Sequence, residues 1–108
     1  MAVVNIKGPT GPTGPAGGGT SATGTHSNVT GSASNVTLLA SNASRHGATI
    51  WNDSTAILYA KLGTTASTTS YTARLVAGAY YETPSAYTGI IDGIWASANG
   101  FARVVEFT

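Results

Sequence analysis

Cysteine is absent from this 108-residue chain. That excludes disulfides and thiolate metal sites, and it leaves the redox compartment unread. Charge is scarce as well. Asp, Glu, Lys and Arg make up 8% of the residues, against roughly 25% in an average domain. The basic residues Lys7, Arg45, Lys61, Arg74 and Arg103 are scattered, and acids balance them to a net charge of +1. No patch exists to neutralise phosphates, so a nucleic-acid partner is not expected. No run is apolar enough to span a bilayer, and no membrane partner is expected either. The opening MAVVNIKGP lacks the basic start and apolar run of a secretory leader.

What is present is apolar and small-polar. Hydrophobic residues reach 42% of the chain, too many for a disordered polymer of low charge. The polar surface must be built mostly of Ser, Thr, Asn and Gly, which offers little electrostatic steering. With the glycine-rich front set aside, about eighty residues remain for a core, near the size at which one core is marginal. Without disulfides, association between chains is the staple left.

The front carries a repeat. Glycine falls at Gly8, Gly11, Gly14 and Gly17, and Pro9, Pro12 and Pro15 follow the first three. A collagen triple helix needs this period, because only glycine fits at its crowded axis. The run reads either as a short three-chain helix, roughly 30 Å long at about 3.1 Å per residue, or as a Gly/Pro linker. So few triplets would hold together only if a folded trimer beside them brought the chains close.

A seven-residue self-similarity follows in SNVTGSA, SNVTLLA and SNASRHG. It lacks the two apolar stripes of a coiled coil, and its Ser, Asn and Thr residues compete with helix for backbone hydrogen bonds. An extended segment is expected, then a strand over residues 36–40 and a turn over 41–47. Asn-x-Ser/Thr triplets begin at Asn28, Asn35, Asn42 and Asn52. In so Ser/Thr-rich a chain, chance accounts for them; glycan attachment is the alternative.

From Gly47 onward the pattern has period two. ATIWN alternates, and Asn52-Asp53-Ser54 signals a turn. In TAILYAKL, Ile57, Tyr59 and Lys61 share one face, and Leu58, Ala60 and Leu62 the other. GTTASTT is a polar loop. SYTARL alternates, Ala77-Gly78 turns, and AYYET is a strand that Pro84-Ser85 breaks. TGIIDGIWAS follows, with Gly89 and Gly93 as bends. Asn99-Gly100 then signals a hairpin into FARVVEF. About seven short strands at roughly 8–12-residue spacing predict an all-β, antiparallel sandwich or barrel-like domain. The organisation expected is an N-terminal anchor strand (1–7), a collagen-like arm (8–19), a Ser/Thr-rich extended linker (20–34) and a β-sandwich domain (35–108). So few charges sit on the strands that edge pairing between sister chains is expected.

Local signs of catalysis are missing. His26 and His46 lie far apart in polar, turn-like surroundings, with no metal-ligand spacing to Asp53, Asp92, Glu82 or Glu106. No nucleophile elbow and no phosphate loop occurs. Neither enzyme activity nor a cofactor is expected. Trp51, Tyr59, Tyr71, Tyr81, Trp95 and Phe107 are expected in the core or a subunit interface, since large rings dominate the burial of so small a domain. The alternative for Trp51, Trp95, Tyr80, Tyr81 and Tyr87 is an exposed surface on which sugars stack.

A resemblance bears on function. The matching features are Leu-Leu-Ala-x-Asn-Ala at residues 38–43, Gly-Ala-Thr-Ile at 47–50 and Asn-Asp-Ser at 52–54. They continue with Leu58-Tyr59-x-Lys61-Leu62-Gly63, Gly78-x-Tyr80-Tyr81-Glu82, Tyr87-Thr88-Gly89, Gly93-Ile94-Trp95 and Arg103-Val104-x-Glu106. This stretch resembles a small β-domain at the C-terminus of many tailed-bacteriophage virion proteins, and the collagen-like prefix is a habit of the same class. The resemblance implies a trimeric component of the virion surface: a head decoration (cement) protein or a fibre. It carries no catalytic residues to transfer. So short a chain favours decoration over a long fibre shaft. The expected partners are two further copies and the major capsid protein, on the outer capsid surface of a virion built in the bacterial host cytoplasm. Val3, Val4, Ile6 and Lys7 would anchor by adding a strand to the capsid protein. The alternatives are a tail-fibre or spike module binding a host surface glycan, and a collagen-like spore-surface protein.

Overall fold

The computed structural model describes residues 22–108. The anchor residues Val3, Val4, Ile6 and Lys7 and the Gly-Pro triplets lie outside the described residues. Eight strands occur among those described: β1 (Gly24–Thr30), β2 (Val36–Leu39), β3 (Gly47–Asp53), β4 (Leu58–Leu62), β5 (Ala73–Leu75), β6 (Tyr80–Glu82), β7 (Ile91–Trp95) and β8 (Phe101–Phe107). No helix is among them.

The strand count exceeds the expected seven by one. The addition is β1, inside the stretch expected to be an extended linker. Its sequence GTHSNVT has weak intrinsic strand propensity. It pairs along its whole length with β8, from Gly24 opposite Phe107 to Thr30 opposite Phe101. A full seven-residue ladder on β8 outweighs the local preference of Ser, Asn and Gly.

The strands form two four-stranded antiparallel sheets, ordered β1-β8-β3-β6 and β2-β7-β4-β5. Of the successive connections only β4–β5 stays within one sheet; every other passes from one sheet to the other. Two Greek keys wound this way are the jelly-roll arrangement. The Asn99-Gly100 pair therefore makes no hairpin, because β7 and β8 lie in different sheets. Asn99 Oδ1 accepts from the Thr55 amide at 2.9 Å. The Gly100 carbonyl accepts from the Gly31 amide at 2.9 Å, and Gly100 adopts φ +61°. These bonds fasten the corner to neighbouring connections instead of closing a two-residue turn.

The core fills the space between the sheets. Ile50, Leu58, Ile91, Trp95, Ala102 and Val104 are buried, joined by Leu38, Ala60 and Leu75. Alternation accounts for it: Ala102 and Val104 point inward on β8, and Phe101 and Arg103 outward. Each buried Leu, Ile or Val contributes about 1.5–3 kcal/mol relative to exposure.

Two local devices help close the core. β2 carries a bulge, with Thr37 opposite Asp92 and Leu39 opposite Ile91. The intervening Leu38 is the extra residue, and it turns inward to 3% exposure. Gly93 lies opposite Val36 and Ala60, in mid-strand and not at a bend. A methyl group there would stand 2.9 Å from Leu38 Cδ1 and 3.1 Å from Leu58 Cδ1. Gly93→Ala is therefore expected to destabilise the fold by about 1–3 kcal/mol through overpacking. A urea-unfolding midpoint equal to the parent's would show that the two leucines move apart freely.

Candidate interaction surface

The two sheets treat their outer faces differently. On the β2-β7-β4-β5 sheet, the 63–72 connection folds back over the strands. Ala66 in that connection is buried, and its amide donates to Asn35 Oδ1 at 2.8 Å. Beneath it Asn35 Nδ2 donates to the buried Asp92 at Oδ2, 3.1 Å away. Lys61, opposite Asp92 in register, donates to Ser70 Oγ at 2.7 Å. Tyr59 packs edge-on against Tyr71 with ring centroids 4.9 Å apart. Asn35, Lys61 and Asp92 Oδ2 are thus engaged within the chain, while Asp92 Oδ1 has no hydrogen-bond partner.

The outer face of the β1-β8-β3-β6 sheet has no such cover among the described residues. Strand register sets its side chains in rows. Trp51 stands between Tyr80 on β6 and Arg103 on β8, and Asn28 on β1 continues the row. Asp53, Phe101 and Thr30 form the row on one side. Glu82, Thr49, Val105 and His26 form the row on the other. Tyr80 is 57% exposed, Trp51 44% and Phe101 39%. Three large rings thus meet water on one sheet face of a very small domain.

Polar contacts hold the rings in place. The Trp51 indole N–H donates to the Gly78 carbonyl at 3.2 Å. The Tyr80 hydroxyl donates to Glu82 Oε2 at 3.1 Å. Partial desolvation, then this carboxylate, hold the Tyr80 phenol above its usual range. The Arg103 guanidinium lies 4.6 Å from the Phe101 ring centre, and its Nε donates to Asp53 Oδ2 at 2.8 Å. Both partners of that pair are about two-fifths exposed, so it orients more than it stabilises. β1 bounds the face as an edge strand without Pro, Lys, Arg, Asp or Glu, the residues that ordinarily guard such edges.

The aromatic residues singled out in the sequence separate by burial. Trp95 lies in the core at 1% exposure, its indole N–H without a partner. Tyr81 is half-buried against the core, and Tyr59 and Phe107 are half-buried too. Trp51 and Tyr71 are exposed and are not in this chain's core. Phe101 was not among the expected residues. Its only signal is that FARVVEF is apolar on both faces, the pattern of a strand covered on two sides.

Each acidic residue is engaged by a partner other than histidine: Asp53 by Arg103, Glu82 by Tyr80, Asp92 by Asn35 and Glu106 by Arg45. Among the described residues no three His, Cys, Asp or Glu side chains gather to hold a metal ion. Of the Asn-x-Ser/Thr triplets, that at Asn52 is closed to a glycan: the side chain is fully buried, and its amide donates to the carbonyls of Ala56 and Leu75. Comparison with protein-family models, curated proteins and solved structures gives no match.

Proposed function

We propose that this chain is a structural component of a bacteriophage virion. In this reading it is a capsid decoration protein, which acts as a homotrimer on the outer surface of the shell, bound to the major capsid protein. The observation that carries the reading is the open aromatic face of the β1-β8-β3-β6 sheet. Large rings gathered on one exposed sheet face mark contact sites. The resemblance to phage virion domains supports it, as does the jelly-roll topology, which recurs in capsid and lectin domains. The topology counts only as a fold-level analogy. The Gly-x-y arm and the anchor residues at 1–7 would join the trimer and fasten it to the shell.

The mechanism is mass action. A ligand that binds only the assembled shell stabilises it, by about 2.7 kcal/mol per site at a free concentration roughly 100 times Kd. A trimer on a threefold position makes three weak contacts act together. The test is sedimentation of the pure chain, followed by titration onto phage shells that lack it. A trimer that saturates the shells and raises their disruption temperature is expected. A single folded chain at high concentration, with no affinity for shells, would end this reading.

One observation favours a second reading. Trp51 and Tyr80 stand side by side on neighbouring strands, a geometry on which a sugar ring could stack. A glycan-binding fibre module would then be the function. It predicts glycan binding by the pure protein and only a few copies per particle.

A further inference from the structure

We propose that the copies of this chain meet through the outer face of the β1-β8-β3-β6 sheet. Trp51, Tyr80 and Phe101 are the covered anchors, and the open edge of β1 lies at the rim of the contact. This inference rests on the threefold reading above and goes further by assigning the surface.

The asymmetry between the two faces is the first argument. The β2-β7-β4-β5 face is overlaid by its own loop, which engages Asn35 and Lys61. The other face presents three rings with nothing over them among the described residues. Trp, Tyr and Arg are the residues that dominate binding energy when buried at the centre of an interface. Here Trp51 has Tyr80 on one side and Arg103 on the other.

The second argument is chain reach. Gly-x-y triplets can wind only with those of two further chains. The last glycine of the run is Gly17, and β1 begins at Gly24. Seven residues span at most about 25 Å. If the triplets wind together, the start of β1 in every copy lies within that distance of a common axis. β1 is an edge of the aromatic sheet, so one edge of that sheet lies within this reach of the axis.

Charge is the third argument. The face carries Arg103 paired with Asp53, and Glu82 bonded to Tyr80. No field of one sign opposes a second copy. A threefold contact is heterologous, so the patch on one copy meets a different part of its neighbour.

The test uses the full chain and hydroxyl-radical footprinting read by mass spectrometry. At a concentration where the chain is trimeric, Trp51, Tyr80 and Phe101 are expected to be protected, while Tyr71 and Val76 stay reactive. In parallel, the double substitution Trp51→Lys with Tyr80→Lys is expected to raise the dissociation midpoint of the trimer at least 100-fold. Tyr71→Lys is expected to leave it within about threefold. Both sites of the double variant face solvent in the single chain, and circular dichroism checks that it folds. If it does not, the footprint of the unaltered chain still decides.

A trimer whose Trp51 and Tyr80 remain fully reactive overturns the inference and leaves the threefold reading intact. Protection that appears only when shells are added assigns the face to the capsid protein and overturns it too. Protection that appears only with an added glycan does the same in favour of a sugar site. A chain that is monomeric at every concentration removes both the inference and the reading beneath it.

Discussion

Arg45→Met is expected to destabilise the fold by about 3–5 kcal/mol. The Arg45 side chain is fully buried. Its Nε donates to Glu106 Oε2 on β8 at 2.9 Å. One terminal nitrogen donates to the Gly89 carbonyl at 2.7 Å, the other to the Ala40 carbonyl at 2.5 Å. One guanidinium thus ties the β2–β3 connection, the β6–β7 connection and the last strand together. Methionine fills much of the volume and supplies none of the donors. It leaves the Glu106 carboxylate, whose side chain is only 15% exposed, without its cation. It also takes the guanidinium donors away from the Ala40 and Gly89 carbonyls, and removing one side of a buried ionic network costs the desolvation of what remains.

A domain of this size has about 5–15 kcal/mol of stability in total, so the loss threatens folding at working temperature. Urea unfolding at fixed chain concentration measures it. Adding Glu106→Gln to Arg45→Met should recover part of the loss, because it removes the stranded charge. Arg45→Lys should rescue poorly, since a single ammonium cannot reproduce a planar fork aimed at three acceptors. A loss below about 1 kcal/mol for Arg45→Met would mean that the connections are held by packing alone.

Asn52→Asp is the second large effect. The change is nearly isosteric, so packing is not the issue. Asn52 is completely buried on β3. Its amide nitrogen donates to the carbonyls of Ala56 and Leu75, each at 2.8 Å, and to that of Val76 at 3.2 Å. Its oxygen accepts from the Ser54 hydroxyl at 2.7 Å. Aspartate puts an oxygen where the donor stood, facing three carbonyls, and adds a charge in a dry site. A loss of about 4 kcal/mol or more is expected at neutral pH.

The loss should depend on pH with a definite sign. Burial beside carbonyls raises the folded-state pKa of the introduced carboxyl above its unfolded value of about 3.9. The folded state then binds more protons than the unfolded state between those two values. Stability of the variant, relative to the parent, should be greatest below the unfolded pKa and fall as pH rises through the folded one. Asn52→Ala should be milder, at about 1–3 kcal/mol, and indifferent to pH. An Asp variant as stable as the parent from about pH 4 to pH 8 would show that this amide does not face the carbonyls.

Residue periodicity and turn chemistry specify the class of the fold and most of its strands. Period-two alternation marks β3, β4, β7 and β8, and it separates Leu58 and Ala60 from Tyr59 and Lys61, as the structure has them. Turn chemistry is local too: Gly78 adopts φ +79°, as the Ala77-Gly78 pair requires. What alternation leaves open is which of a strand's two faces the opposite sheet will cover. Trp51 and Trp95 both sit in alternating strands, yet one is 44% exposed and the other 1%. The difference comes from sheet order, which is a property of distant pairings.

The same reason covers the other departures. Only the ladder on β8 makes a strand of β1, and only the sheet-to-sheet crossing turns Asn99-Gly100 into a corner. Arg45 finds Glu106 and the carbonyls of Ala40 and Gly89 because two connections and the last strand converge there. Local pattern therefore set the elements. Tertiary pairing decided which rings were enclosed and which meet water, because burial on a sheet is conferred by the layer packed against it.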